Sequence, residues 1–141
     1  MSSSGGTANI HVPVVNDGTI TAAGAGISIA SLTNNGTLDL GTSSVAIQGA
    51  YAPSSGSVLA VTVAGTTGGS DLGQLTVSGA MTIAGTLDIT TPGSFTPTSG
   101  ELFTIVSYAS ETGSFSSVRT TGTATYGPPQ IDSTEIQLEA T

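Results

Sequence analysis

The sequence has no cysteine, no tryptophan and no lysine, and Arg119 is its single strong base. Without thiols neither a disulfide scaffold nor a zinc–thiolate site can be built. Against 9 acids that one base leaves a net charge of −8 and a pI near 4.1. No basic surface for nucleic acid can be assembled from such a chain. Charged residues make up only 7% of it, where about 25% is usual for a globular domain. With a mean hydropathy of +0.28, the composition opposes charge-driven disorder. No apolar run approaches the roughly 18 residues of a membrane-spanning helix. The opening Met-Ser-Ser-Ser-Gly-Gly lacks the basic and apolar regions of a secretion signal. A Met placed directly before a Ser/Gly arm suggests a cloned or processed fragment, with any export signal lying outside it.

What the chain has in plenty is Ser (20), Thr (24) and Gly (20), within 141 residues, the length of one domain. The most informative feature is internal similarity. Asn16-Asp17-Gly18-Thr19-Ile20-Thr21 aligns with Asn34-Asn35-Gly36-Thr37-Leu38-Asp39 at a shift of 18 residues, and the same shift takes Ile27-Ser28-Ile29 onto Val45-Ala46-Ile47. Gly85-Thr86-Leu87-Asp88-Ile89 nearly copies Gly36-Thr37-Leu38-Asp39-Leu40; Leu75-Thr76-Val77-Ser78-Gly79 and Met81-Thr82-Ile83-Ala84-Gly85 echo each other as two short strands, and Val45-Ala46-Ile47-Gln48-Gly49 has the same form. Gly56-Ser57-Val58-Leu59 fits the same pattern at a shift of 20, which implies a small insertion.

Each unit alternates apolar and small polar residues and closes on Gly, Asn, Ser or Thr. Period-two alternation predicts strands, and the Asn-Gly and Asp-Gly steps predict tight turns. No segment has helical periodicity. Similar successive units of 18 to 20 residues predict stacked strands, each position lying over its equivalent at about 4.8 Å. The predicted fold is therefore all-β: a right-handed parallel β-solenoid (β-helix) with a C-terminal β cap. Predicted inward positions are Ile20, Ile27, Ile29, Leu38, Leu40, Val45, Ile47, Val58, Val61, Val63, Leu75, Val77, Met81, Ile83, Leu87 and Ile89. The organisation expected is a flexible arm over 1–13, solenoid rungs over 14–91, and final rungs with the cap over 92–141, within one domain overall. All three Phe and two of the three Tyr fall in that last part, where larger side chains would close the core.

The run "QLTVSGAMTIAGTLDI" followed by "GELFTIVSYASETGSF", with the GTLDL-type segment upstream, resembles the C-terminal β-helix region of autotransporter-like passengers and large bacterial surface adhesins. The resemblance implies a right-handed β-helix and a secreted or surface role, and it carries over no catalytic residue.

Each candidate for chemistry has a plainer reading beside it. His11 is the single histidine and sits beside Pro13 in a polar arm, with no GxSxG elbow to partner it. Asp39 and Asp88 hold equivalent places, but more than two rungs between them implies roughly 10–14 Å, beyond the usual carboxylate pair of an inverting glycosidase; Asp71 lies in a Gly/Ser loop. Gly68-Gly69-Ser70-Asp71-Leu72-Gly73 resembles one turn of a calcium-binding nonapeptide array, yet occurs once and lacks the third Gly. Thr19-Ile20-Thr21 and Thr121-Gly122-Thr123-Ala124-Thr125 suggest a Thr ladder of the ice-binding kind, which Asp39 interrupts at the place of Thr21. Asn35-Gly36-Thr37 is a glycosylation sequon and also a turn.

The sequence reading is thus a non-enzymatic structural or adhesive segment of an extracellular bacterial surface protein, with no cofactor and no metal. The alternative is a filament subunit assembled head to tail by strand addition, in which Ile10, Val12, Val14 and Val15 form the adding segment. A carbohydrate- or ice-binding module ranks below both. Expected partners are another copy of the chain, or a host or environmental surface or glycan, with no nucleic acid and no membrane span.

Overall fold

The computed structural model describes residues 8–22, 26–68 and 70–141. Thirteen strands follow one another with no helix among the described residues: β1 (Ala8–Asn16), β2 (Thr19–Thr21), β3 (Ile27–Asn34), β4 (Thr37–Asp39), β5 (Ser44–Ile47), β6 (Tyr51–Pro53), β7 (Val58–Thr62), β8 (Gln74–Ile83), β9 (Thr86–Thr91), β10 (Leu102–Gly113), β11 (Ser117–Gly122), β12 (Gln130–Ile131) and β13 (Glu135–Glu139). They form two sheets. The first runs β1-β3-β5-β8-β10-β13-β12, with β6 bridging β3 and β8; the second runs β11-β9-β7-β4-β2.

The second sheet is parallel throughout. The first is mixed: β1, β3, β5, β6, β8 and β10 pair in parallel, but β13 runs antiparallel to β10, and β12 antiparallel to β13. This corrects the expected right-handed parallel β-solenoid. The chain builds one mixed and one parallel sheet, and no closed coil is detected. The reason is local. Similarity between successive segments fixes their pairing, but it specifies neither closure nor the direction of the last strands. Asp132 forms a turn in which its Oδ1 accepts from the backbone N–H groups of Thr134 and Glu135 (2.8 and 2.9 Å). That turn folds β13 back on β12, and a reversal of this kind needs only a few residues.

The pairing itself follows the sequence. Thr19, Ile20 and Thr21 lie beside Thr37, Leu38 and Asp39, and Ile27 and Ile29 lie beside Val45 and Ile47. Between these pairs the turns also stack: Asn35 and Gly36 donate to the Asn16 carbonyl (2.8 and 3.1 Å), and Thr37 donates to that of Gly18 (2.8 Å). Gly36 has to be glycine, because a Cβ there would strike the Gly18 carbonyl oxygen. Gly79 meets the same constraint, since its N–H donates to the Gly49 carbonyl (3.0 Å) and a Cβ would lie 2.7 Å from that oxygen.

The inner faces of both sheets contribute to one core. One column of side chains runs Ile20, Leu38, Leu59, Leu87 in the parallel sheet. Another runs Ile27, Val45, Leu75, Val106, Ile136 in the mixed sheet, so the antiparallel β13 still feeds the core. Burying each such side chain contributes roughly 1.5–3 kcal/mol. Of the predicted inward positions only Val58 is misplaced. Leu38 pairs with Leu59, while Val58 stands on the outer face between Thr37 and Thr86. The insertion is one residue longer than the shift of 20 assumed, and a one-residue slip exchanges the faces of a strand.

At the far end, Phe95 and Tyr126 each meet the Phe103 ring edge-on, with centroids 6.1 Å apart in both pairs. Tyr126 and Thr91 share a hydrogen bond of 2.7 Å between their hydroxyls. Of the expected arm over 1–13, residues 1–7 lie outside the described residues, and residues 8–13 belong to β1.

Candidate functional site

Ile10, Val12, Val14 and Val15 lie together on β1, the outermost strand of the mixed sheet. One edge of β1 is already paired, in parallel, with β3: Ile10 with Ile29, Val14 with Leu32, and Val15 with Thr33. Ile10 and Val14 are half-buried against the core, whereas Val12 and Val15 are 61% and 64% exposed. The register shifts between Ile10 and Pro13, and Pro13 has no N–H to offer a neighbour. The segment is therefore an edge strand docked on its own chain.

The parallel sheet places Thr21, Asp39, Ala60, Asp88 and Arg119 in one outer column. Asp39 and Asp88 are thus two strand steps apart, about 9.6 Å, slightly closer than the spacing expected from sequence. Both carboxylates are engaged locally. Asp39 Oδ1 accepts from the Gly41 N–H (2.9 Å), and Asp88 Oδ2 lies 3.3 Å from Arg119 Nη2. The adjacent column runs Thr19, Thr37, Val58, Thr86, Ser117, so Val58 joins Asp39 and Ala60 in interrupting a Thr array.

His11 is exposed on β1. Asp71 lies on an excursion between β7 and β8, where its N–H donates to the Thr67 carbonyl (2.9 Å) and its carbonyl accepts from Ala64 (2.7 Å). Gly69 of the calcium-type motif lies outside the described residues. Among the described residues no three acidic or imidazole side chains converge, and no cavity opens. Asn35 Nδ2, the sequon nitrogen, donates to Asp17 Oδ1 (2.8 Å).

Two arrangements escaped the sequence reading. Asn16 Nδ2 donates to Asn34 Oδ1 (2.9 Å), and Asn34 Nδ2 donates to the Tyr51 hydroxyl (3.2 Å), forming a buried polar chain across three strands. Burial pushes the Tyr51 phenol up to about 12, against a smaller opposing effect of the Asn34 hydrogen bond. The alignment of Asn16 with Asn34 carries that signal, which turn chemistry alone also accounts for. The other is Tyr108, whose hydroxyl donates to the carbonyls of Asp132 (2.6 Å) and Glu135 (2.9 Å) and so ties the β12–β13 turn to β10. Its pKa is likewise raised to about 12, first by desolvation and then by the charges of Glu111, Asp132 and Glu135. Nothing in the local sequence around Tyr108 points to that long-range contact.

Among the described residues no helix is long and apolar enough to cross a membrane. No family model matches the chain, and no curated protein or solved structure matches it either.

Proposed function

We propose that the chain is a non-enzymatic structural or adhesive segment of an extracellular bacterial surface protein. The observation that supports this reading most is the continuous stacking of strands over a single core. Two sheets of hydrogen-bonded strands leave their inner side chains dry and turn a Ser- and Thr-rich outer surface to solvent. Backbone pairing of this extent resists local opening, the step on which proteases depend. Asp39 accepts from the Gly41 N–H in a turn, and Asp88 faces Arg119 in an exposed ion pair. An acidic, cysteine-free composition suits an environment outside the cell.

The test is antibody labelling of intact cells of the source bacterium, with a cytoplasmic protein as control. Labelling before permeabilisation, with the cytoplasmic control unlabelled, is the expected result. Labelling that appears only after permeabilisation refutes the reading.

A further inference from the structure

The two ends of the stacked sheets differ. At one end β1 presents an edge that no described strand covers. The two most exposed large apolar side chains among the described residues, Val12 (61%) and Val15 (64%), lie on it, ahead of Leu102 (50%) and Val118 (42%) elsewhere. Only Asp17, Asp39 and Asp71 of the 9 acids lie before β8. At the other end Glu101, Glu111, Asp132, Glu135 and Glu139 gather on or beside β10, β12 and β13. There the edge of β10 is covered. β13 and β12 lie beyond β10 in the mixed sheet, while β11 ends the parallel sheet. A second copy that set its β2 on β11 would have to put its β1 where β13 already lies.

We propose that the outer edge of β1, which no described strand covers, is a self-association surface around Val12 and Val15, and that its occupant is β1 of a second copy, paired antiparallel about a two-fold axis near Val12. This goes beyond the structural reading and does not depend on it. Charge favours the arrangement. Copies that each carry −8 approach through their least charged ends and keep their acidic ends far apart. The two-fold sets Ile10 opposite the partner's Val14, so half-buried apolar side chains of both copies complete each other's cover. Because the contact uses the same patch twice, it closes at a dimer and grows no fibre. Pro13 removes one donor from the edge, and the register shift beside it shortens the regular pairing. The dimer is accordingly reversible and dependent on concentration.

Light scattering and sedimentation of the full chain, from about 1 to about 500 µM, are expected to show the mass rising from 13.7 kDa to a plateau at twice that value. Val12→Lys is expected to raise the dissociation constant at least about tenfold, and Val118→Lys, on β11, to leave it unchanged. The absence of cysteine supplies an independent readout. Val12→Cys is expected to cross-link rapidly on mild oxidation, because residues facing each other across an antiparallel pair bring their Cβ atoms within about 4.5–5.5 Å; Val118→Cys is expected not to. A monomer at every concentration, growth beyond the dimer, or cross-linking through Val118→Cys in place of Val12→Cys overturns the proposal.

Discussion

Replacing Asn34 by Ala tests the account of how the turns are held. Asn34 is fully buried, and its carboxamide stands between Asn16 and Tyr51. Removal has unequal effects on the two neighbours. Asn16 Nδ2 keeps the carbonyls of Thr37 (3.0 Å) and Gly18 (3.2 Å). The Tyr51 hydroxyl, on a residue 1% exposed, loses the Asn34 donor. Stranding a buried polar group costs about 1–3 kcal/mol, and the small void left by the side chain adds to that, so Asn34→Ala is expected to destabilise by about 2–4 kcal/mol. Tyr51→Phe removes the same hydrogen bond from the other side and is expected to cost about 1–2 kcal/mol. The double variant is expected to cost less than the sum by about 0.5–1.5 kcal/mol, because the second change removes a group already deprived of its partner. Asn35→Ala is the control. Its hydrogen bond to Asp17 is exposed, and a loss below about 0.5 kcal/mol is expected. Urea unfolding followed by circular dichroism measures all four. Strict additivity, or an Asn35→Ala loss equal to that of Asn34→Ala, refutes the reasoning.

Gly36→Ala is expected to destabilise by about 1–3 kcal/mol, because the added methyl meets the Gly18 carbonyl, whereas Gly18→Ala meets nothing within 4 Å and should shift the urea midpoint little; equal effects would remove the stacking argument. Alkali should act through Tyr51 and Tyr108. Both phenols are raised from 10.0 to about 12 in the folded state, so the folded chain retains protons that the unfolded chain releases. Their stabilising effect is full below pH 10 and is lost as pH rises toward 12. Phenolate absorbance that rises together with unfolding is expected; full ionisation of both groups near pH 10 in a folded protein contradicts it.

Much of the pairing could be read from the sequence because a two-residue period and a repeated Asn/Asp-Gly turn act locally. Gly36 does lie on Gly18, and Asp39 does follow Thr21. The failures come where a single residue of length decides the outcome. Val58 and Leu59 are both apolar, and only the true length of the preceding insertion shows which faces inward. Asn34 and Asn35 look alike as turn formers, yet one is buried in a polar chain and the other faces solvent. The direction of β13 was illegible for a different reason. Its Ile136 and Leu138 alternate in the same way whether the strand runs parallel or antiparallel. For the candidate surface, the apolar alternation of β1 was visible, but its docking on β3 depends on contacts distant in sequence.

The excursion between β7 and β8 departs and returns at nearly the same point, since Gly73 donates back to the Thr62 carbonyl (3.0 Å) while Thr62 keeps its place beside Thr90. Chain length is therefore a free variable at that spot and a forbidden one a few residues earlier. A peptide grafted into the tip would be held aloft without disturbing the strands beneath it, while one added residue inside β7 would turn its whole oily side outward. The molecule is in this sense a scaffold with a built-in port, where added length leaves the stacked body as it is.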